Sequence, residues 1–313
     1  MGMKSGFVAI VGRPNAGKST LLNSVLKARV SIVTPKAQTT RDRVLGILTE
    51  ERGQIVFIDT PGIHRAKVGG INEYMVRQAR EALEAPSVIW YIVDPRSELP
   101  HEMAVIELLA DSAKYTKVPV MLLLNKSDLV REQRIRDKTD KLGGEILAAA
   151  VEKGIRIDST FRISAQTGTG LNDLLAATWE RLEEGPLYYP DQDQLSDRPT
   201  RFFVAEMIRE QLFLRLGEEL PYSCAVEIER FDEAAKPPRI EAVIHVERES
   251  QKGIVVGKGG VKIKEIGQNA RRKIEEFLGY TVFLGLKVKL LKDWTRDAAA
   301  LRRMGYTLPE KRK

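Results

Sequence analysis

The sequence predicts an α/β domain with a mostly parallel, doubly wound sheet, followed by a smaller α+β domain. Over the first 180 residues, five short apolar runs rich in β-branched residues alternate with amphipathic stretches, as parallel strands covered by helices do. Three prolines and several acidic residues interrupt this pattern at 183–199, and new helix and strand patterns follow. A chain of 313 residues, 43% hydrophobic, is long enough for two separate cores.

The individual elements follow from the period of the apolar residues. The predicted strands of the first domain are 7–11, 54–58, 87–93, 118–124 and 157–163. The helices between them are 18–26, 72–85, 101–113, 132–153 and 172–182. The second part reads as a helix at 202–216, strands at 222–230 and 239–247, helices at 253–256 and 261–277, and a strand at 281–291. We therefore expect a first domain at 1–182, an interdomain linker at 183–199 and a second domain at 200–313 with a basic C-terminal extension.

Composition excludes several kinds of protein. The longest apolar stretches, such as Val118 to Leu124, are far shorter than the roughly 20 residues that a membrane-spanning helix needs. The N-terminal residues carry no signal-peptide pattern, so we expect the chain to stay in the cytoplasm. A single cysteine, Cys224, cannot form an internal disulfide, and three scattered histidines predict no structural metal site. Cys224 alternates with apolar neighbours and is expected to be buried in the strand at 222–230.

Positive charge is concentrated near the C-terminal end of the chain. The net charge is +7, but residues 1–195 carry only +1 and residues 196–251 carry −4. Residues 252–313 hold 16 basic and 6 acidic side chains, a net charge of +10. An excess of this size in one segment predicts a surface for a polyanion, although charge alone is equally compatible with a solvated basic tail.

A glycine-rich loop follows the first predicted strand and precedes the first predicted helix. Its residues match the phosphate-binding pattern G-x-x-x-x-G-K-S, and the site comprises Gly12, Arg13, Pro14, Asn15, Ala16, Gly17, Lys18, Ser19 and Thr20. The glycines allow backbone N–H groups to surround phosphates at the positive end of the helix dipole. We expect Lys18 to reach the β- and γ-phosphates and Ser19 to bind Mg²⁺.

A second motif, Asp59-Thr60-Pro61-Gly62, follows the strand at 54–58. Its position predicts a carboxylate beside the phosphate loop, where Asp59 would hold Mg²⁺. The N–H of Gly62 could approach a γ-phosphate and would lose that partner after hydrolysis, which predicts a switch. In the polar stretch between the two motifs, we expect Thr40 rather than Thr39 to complete the Mg²⁺ shell.

The motif Asn125-Lys126-Ser127-Asp128 follows the most hydrophobic strand and indicates which base is bound. The Asp128 carboxylate can accept hydrogen bonds from N1–H and the exocyclic amine of guanine, whereas adenine would leave it unpaired. Lys126 can lie over the base, and Asn125 can bridge the base and the phosphate loop. A weaker motif, Ser164-Ala165-Gln166, could present a backbone N–H to guanine O6.

The basic segment contains a Gly-x-x-Gly loop between two predicted helices. The loop residues are Gly257, Lys258, Gly259 and Gly260, and the basic residues around them are Lys262, Lys264, Arg271, Arg272 and Lys273. Small residues let a single-stranded nucleic-acid backbone pass close to such a loop, while apolar neighbours receive unstacked bases. A Gly-x-x-Gly loop alone is ordinarily only a turn. Here the loop has predicted strands on both sides along the sequence and lies in a segment of net charge +10, which makes single-stranded nucleic acid the better interpretation.

The order of these motifs resembles that of the Era family of ribosome-assembly GTPases, and the similarity spans nearly the whole chain. Further shared stretches are Thr34-Pro35-Lys36-Ala37-Gln38-Thr39-Thr40-Arg41, Asp197-Arg198-Pro199 and Glu219-Leu220-Pro221-Tyr222-Ser223. The resemblance implies a P-loop NTPase domain followed by a type II KH domain. It also implies hydrolysis of GTP to GDP and phosphate with Mg²⁺ as a molecular switch.

The same resemblance implies a partner and a cellular role. The KH domain would bind the 3′ end of 16S ribosomal RNA, with contacts that extend over 287–303, and the protein would act as a monomer in assembly of the small (30S) ribosomal subunit. The sequence leaves two alternatives open. One is an RNA-binding module with a vestigial nucleotide site, and the other is a GTPase associated peripherally with the inner face of the cell membrane through its basic segment.

Hydrolysis is expected to be slow because the position after the Asp-x-x-Gly glycine is Ile63, where Ras-like enzymes carry the glutamine that orients water. Isoleucine can neither donate nor accept a hydrogen bond. Asn15 resembles the phosphate-loop asparagine through which related GTPases coordinate K⁺. Arg41 and Arg43 could instead supply positive charge, although arginine in a polar loop is more often solvated.

Overall fold

The computed structural model describes residues 2–63, 69–114, 117–130, 133–217 and 219–306. These residues form two compact units. The first holds most of the chain up to Asp197, and the second holds the chain from Arg198 together with Thr34–Lys36 and 69–74. Among the described residues, no helix is both long and apolar enough to cross a membrane.

The first unit is a mostly parallel sheet with helices on both faces, as predicted. Its strands are β1 (Lys4–Val11), β2 (Val44–Glu50), β3 (Gly53–Asp59), β4 (Val88–Val93), β5 (Val120–Leu124), β6 (Ile157–Arg162) and β7 (Glu183–Glu184). Its helices are α1 (Lys18–Leu26), the part of α2 (Gly70–Glu81) from Met75 onward, α3 (Leu99–Ala113), α4 (Gln133–Glu152) and α5 (Leu171–Arg181). The main strand order is β2-β3-β1-β4-β5-β6, with β2 and β7 antiparallel to their neighbours.

The two faces of this sheet have different helical cover. Apolar residues of α3 and α4 pack around Tyr91 on one face. On the other face, the Trp90 indole contacts Thr178 of α5, and α1 packs on β2 and β3. Every residue of β3, β4 and β5 is buried because helices cover both sides of the sheet. The carboxyl ends of the strands are therefore left for ligands.

Strand β2 was missed by the sequence analysis. Its apolar pattern is interrupted by Gly46, which hides the alternation, but the structure explains the glycine. A Cβ at Gly46 would lie 2.5 Å from the side chain of Leu22, so its absence lets α1 pack directly on the strand. Strand β2 forms the edge of the sheet and pairs antiparallel with β3.

Residues 183–197, which fall in the predicted linker, lie along the first unit. Strand β7 pairs with the beginning of β1. The ring of Tyr188 lies 4.5 Å from that of Phe7, and the Gln54 side chain makes two hydrogen bonds of 2.9 Å with the backbone of Tyr189. This segment therefore belongs to the packing of the first unit.

The second unit has the element order helix, strand, strand, helix, loop, helix, strand. Its main elements are α6 (Thr200–Arg215), β8 (Ala225–Asp232), β9 (Arg239–Val246), α7 (Glu249–Val256), α8 (Val261–Leu278) and β10 (Phe283–Leu290). Strand β9 is central, antiparallel to β8 and parallel to β10. A short final helix, α9 (Ala298–Arg303), was not predicted, and its N-cap is the Asp297 side chain, which accepts from the N–H of Ala300 at 2.7 Å.

The prediction for Cys224 was right about burial and wrong about the element. Residues Leu220–Ser223 form a 3₁₀ turn with a proline, Pro221, at its second position, and the strand starts only at Ala225. Cys224 is fully buried and its thiol donates to the carbonyl of Leu220 at 3.3 Å. The proline explains the difference, since it favours a turn over strand pairing.

Candidate nucleotide site and nucleic-acid interface

Four predicted motifs meet at the carboxyl edge of the first sheet. They follow β1, β3, β5 and β6, which all run in the same direction. In a parallel sheet the strand ends lie side by side, so residues far apart in sequence come together there.

The phosphate loop connects β1 to α1, and its two glycines are required by close contacts. Gly17 has φ +110°, and a Cβ there would lie 2.2 Å from Asn125 Nδ2. A Cβ at Gly12 would lie 2.3 Å from the carbonyl oxygen of Ile92 on β4. The loop can follow this path only without these side chains, and it leads directly into the N-terminus of α1.

Lys18 is buried at the mouth of this loop. Its ammonium donates to the carbonyls of Gly12 at 3.0 Å and Arg13 at 2.9 Å. Burial lowers the pKa of Lys18 to about 8, although the nearby carboxylates of Asp59 and Glu102 act in the opposite direction. A phosphate group at this position would supply the negative charge that a buried ammonium requires.

Three oxygen-bearing side chains predicted to hold Mg²⁺ are adjacent. The Ser19 hydroxyl donates to Asp59 Oδ2 at 2.7 Å and lies 3.0 Å from Thr40 Oγ1. Ser31, which the sequence analysis did not single out, also donates to Asp59 Oδ2, at 3.0 Å. Asp59 Oδ1 is buried and has no hydrogen-bond partner in the part of the chain that the structure describes.

This set of oxygens suits Mg²⁺, which takes one or two carboxylates together with hydroxyls and phosphate oxygens. Burial raises the pKa of Asp59, while Lys18 and the hydroxyls of Ser19 and Ser31 oppose that rise. A cation beside Oδ1 would favour the ionised carboxylate further. Within the described residues there is no group of three or more histidine, cysteine, aspartate or glutamate side chains that could hold a metal by themselves.

The Asp-x-x-Gly segment lies against the phosphate loop. A Cβ on Gly62 would lie 2.6 Å from Pro14 Cα, so only glycine fits here. The N–H of Ile63 donates to the carbonyl of Gly12 at 3.1 Å, and the Thr60 hydroxyl donates to the carbonyl of Ile10 at 2.8 Å. The side chain of Ile63 is buried in the apolar core, so it offers nothing to orient a water molecule.

Asn125 connects its own motif both to the phosphate loop and to the Ser164-Ala165-Gln166 motif. It is 2% exposed, its Nδ2 donates to the carbonyl of Ala16 at 2.8 Å, and its Oδ1 accepts from the N–H of Ala165 at 2.9 Å. The Ala165 N–H therefore already donates to a protein acceptor. Gln166, the next residue, is exposed.

Lys126 and Asp128 are held by partners from other loops. The Lys126 ammonium donates to the carbonyl of Asn15 at 2.8 Å, and the Ser164 hydroxyl donates to Asp128 Oδ1 at 2.5 Å. These contacts bring Asn125, Lys126, Asp128 and Ser164 to one place beside the phosphate loop. Lys126 itself has φ +58°, an unusual conformation for a lysine.

Sequence reasoning missed several polar residues in this region. Besides Ser31, they are Asp94, Ser97 and Glu102, which make hydrogen bonds with or near the predicted motifs. Asp94 could have been found, because it directly follows β4, whose carboxyl end lies between those of β1 and β5. Glu102 gave no such signal, since it is one of several charged residues on a helix.

In the second unit, the Gly-x-x-Gly loop joins α7 to α8 as predicted. Gly257, Gly259 and Gly260 all have positive φ values, between +60° and +78°, which glycine adopts without strain. Lys258 is exposed at the tip. Two apolar side chains beside the loop are also exposed, Ile254 at 58% and Val261 at 69%, as expected for a surface that contacts bases.

A cleft of about 360 Å³ lies between α8 and β10. It is lined by Ile263, Lys264, Gly267, Gln268, Arg271, Leu284 and Leu286. Two of the predicted RNA-binding residues thus border an apolar groove. Of the others, Lys262 pairs with Glu265 at 3.6 Å and Arg272 is exposed on α8.

Part of the basic excess is neutralised by acidic partners. Lys273, expected to contribute charge around the loop, instead bonds at 2.5 Å to Glu210, which is 2% exposed on α6. The alternating positions of β10 behave similarly, since Lys289 pairs with Glu229 at 2.5 Å and Lys287 approaches Glu241 at 3.9 Å. Periodicity along α8 places Lys273 on its packed side, which the net charge alone could not reveal.

The fold and the motif order define a guanine-nucleotide-binding P-loop protein with an appended KH domain. Two family models match this chain accordingly. The one described as 50S ribosome-binding GTPase matches residues 7–126, and the one described as KH domain matches residues 219–295.

Full-length relatives make the assignment specific. GTPase Era of Carboxydothermus hydrogenoformans is 42% identical over 310 residues, covering 98% of this chain and 99% of the relative. GTPase Era of Staphylococcus haemolyticus is 41% identical over 305 residues, covering 97% of each chain. The chain belongs to the Era family of GTPases.

Solved structures agree with this assignment. A crystal structure of Era in complex with MgGDPNP and nucleotides 1506–1542 of 16S ribosomal RNA has a TM-score of 0.88 and 38% identity, over 98% of this chain and 100% of that one. A variant of Era from Aquifex aeolicus bound to GDP and AlF₄⁻ gives the same values.

Proposed function

We propose that this GTPase is a Mg²⁺-dependent switch that binds the 3′ end of 16S ribosomal RNA through its KH domain and acts in assembly of the 30S subunit. The observation that carries the proposal is the presence in one chain of a complete guanine-nucleotide motif set and an exposed Gly-x-x-Gly loop beside a basic, apolar cleft. The similar Era structure with MgGDPNP and an RNA fragment supports both ligands.

In this proposal the nucleotide is held at both ends. The backbone of 12–17 and Lys18 bind the phosphates, and Asp128 accepts hydrogen bonds from guanine while Lys126 lies over the base. Ser19, Thr40 and Asp59 would hold Mg²⁺, which supplies charge neutralisation at the phosphates when bound. Loss of the γ-phosphate would release the N–H of Gly62 and with it the segment that follows, part of which lies outside the described residues.

Hydrolysis in the isolated protein is expected to be slow. Ile63 offers no group to place water, so turnover should stay well below the roughly 5–20 s⁻¹ of Ras with its activator. We further propose that Asn15, exposed in the phosphate loop, coordinates K⁺ at the site. Turnover measured in K⁺ and in Na⁺ at fixed Mg²⁺ tests this role, and equal rates would contradict it.

The central experiment crosslinks the full-length protein to a 3′ fragment of 16S ribosomal RNA in the presence of GTP or GDP. We expect crosslinks at the Gly-x-x-Gly loop, a GTP-dependent yield, and a strong loss in Lys258→Asp, where the loop would repel phosphate. Lys153→Asp is the matched control, because Lys153 is an exposed lysine of the first unit. Equal crosslinking of both variants would contradict the proposed interface.

The same material separates the two alternatives. An RNA-binding module with a vestigial site would bind neither GTP nor GDP, and a preference for ATP over GTP would contradict the proposed base specificity. A protein of the membrane surface would float with anionic liposomes and would not be displaced by the RNA fragment. We propose that the protein is located mainly in the cytoplasm, because residues 287–290 are part of β10 and do not form a lipid-lying helix. We also propose that it acts as a monomer, as the family resemblance implies.

A further inference from the structure

The loop between β4 and α3, Asp94 to Ser97, lies between the two halves of the nucleotide site and contacts both. At its first residue, Asp94 Oδ2 accepts a hydrogen bond of 2.6 Å from the Lys126 ammonium, whose other partner is the carbonyl of Asn15. The Asp94 side chain is 17% exposed. Although burial alone would raise its pKa, hydrogen bonds from Arg96 and Lys126 hold the pKa of Asp94 at about 2.

At its last residue the loop contacts the phosphate loop. The Ser97 hydroxyl accepts from Arg13 Nη1 at 3.0 Å and donates to Glu102 Oε1 at 2.5 Å. Glu102 is 1% exposed, and its Oε2 accepts from the hydroxyl of Tyr91 at 2.8 Å. Since a guanidinium can only donate, the Ser97 proton must point to Glu102. The chain of hydrogen bonds therefore has one direction, from Arg13 to the carboxylate.

Burial raises the pKa of Glu102, and the hydrogen bonds from Ser97 and Tyr91 together with the charges of Arg13 and Lys18 oppose this. A buried polar network of this kind could serve only the stability of α3. That explanation does not account for two contacts with the nucleotide motifs. The chain of hydrogen bonds through Ser97 begins at Arg13, and Asp94, whose carbonyl accepts from the N–H of Ser97 at 2.9 Å, holds Lys126.

We propose that Asp94, Ser97 and Glu102 are positioning residues that fix the phosphate loop and the base-binding lysine at one spacing and so slow the release of guanine nucleotide. Asp94 acts through Lys126, and Ser97 and Glu102 act through Arg13. The inference rests on the proposed nucleotide site and adds to it a set of residues from a loop outside the four motifs.

The contact of Asp94 with Lys126 and the contact of Ser97 with Arg13 should affect different ligands, so GDP and pyrophosphate can distinguish them. Asp94→Asn weakens a charge-assisted bond to the base half, so we expect GDP to dissociate about 10-fold faster while affinity for pyrophosphate stays within about 2-fold. Ser97→Ala removes the relay to Arg13, so it should weaken both GDP and pyrophosphate.

The experiment measures dissociation of fluorescently labelled GDP by stopped flow and pyrophosphate by competition, using the full-length protein. Asp111→Asn is the matched control, since it removes an exposed carboxylate of α3 that pairs with Lys114. Failure of the wild-type protein to bind GDP would refute the proposed nucleotide site itself. With wild-type binding intact, unchanged dissociation in both variants, or equal loss of GDP and pyrophosphate in Asp94→Asn, would overturn the positioning role.

Discussion

Lys18 is the residue whose charge depends most directly on what occupies the site. The residue is 6% exposed, its ammonium donates to two backbone carbonyls, and burial lowers its pKa to about 8. Near pH 8, about half of the free protein molecules thus carry a neutral lysine there. Phosphate favours the charged form, so binding must raise this pKa and draw a proton from solution.

We therefore expect GDP binding to take up about half a proton at pH 8 and only about a tenth of one through Lys18 at pH 7. Affinity should fall as the pH rises above 8, because the free protein then has to be protonated for binding. Calorimetric titration in buffers of different ionisation enthalpy measures the uptake directly. In Asp59→Asn, which lacks a carboxylate that raises this pKa, the uptake at pH 8 should increase. Proton release at pH 8 would be incompatible with this account.

At the scale of single residues, the sequence was informative where chemistry demands a fixed spacing. Lys18, Asp59 and Asn125 could be placed at the carboxyl edge of the sheet, because their motifs follow predicted strands. Ser97 and Glu102 could not be placed there. Their roles depend on which side of α3 faces the loop before it, and their hydrogen bonds join residues that no short motif contains.

At the scale of elements, the junction between β4 and α5 depends on one hydroxyl. The indole Nε1–H of Trp90 donates to Thr178 Oγ1 at 3.1 Å, and that hydroxyl donates to the carbonyl of Leu174 at 2.7 Å. Trp90 and Thr178 are both fully buried. A buried indole N–H without an acceptor loses its hydration and gains nothing in return.

Thr178→Val keeps the shape and removes this acceptor, so it should lower the free energy of unfolding by about 1–3 kcal/mol. Urea unfolding of the full-length protein measures the change. The matched control is Thr139→Val on α4, where the buried threonine donates to the carbonyl of Ile135 and no donor of the described residues relies on its hydroxyl. If both variants lose the same free energy, the Trp90 contact is not the cause.

Helices and strands could be predicted where apolar residues recur with a clear period. They were missed where tertiary contacts determine the element. The predicted strands of the first unit fall within one or two residues of β3, β4 and β5. Strand β2 was missed because its glycine serves the packing of α1, and α9 was missed because a six-residue helix held by one cap has too little periodicity to be seen. Tertiary contacts, absent from the local pattern, determine both.

At the scale of the whole molecule, the two kinds of polyanion contact differ in how they use charge. The proposed phosphate contacts use backbone N–H groups and one buried lysine, and that part of the chain, residues 1–195, has a net charge of only +1. The KH domain presents exposed cations such as Lys258, Lys264, Arg271 and Arg272 in a segment of net charge +10. Exposed cations bind phosphates largely through release of counterions, so salt should weaken RNA binding strongly.

If these four cations each contact one phosphate, the logarithm of the RNA association constant should fall with the logarithm of salt concentration with a slope of about −3, from roughly −0.7 per contact for single strands. Lys258→Gln and Lys264→Gln should each make the slope less steep by about 0.7, whereas Lys153→Gln, on the first unit, should not change it. Fluorescence anisotropy with a labelled 3′ fragment of 16S ribosomal RNA between 50 and 300 mM KCl, roughly the range in which such slopes are resolved, measures these values. A slope unaltered in both KH variants would place the phosphate contacts elsewhere, because a cation that does not contact phosphate releases no counterion on binding.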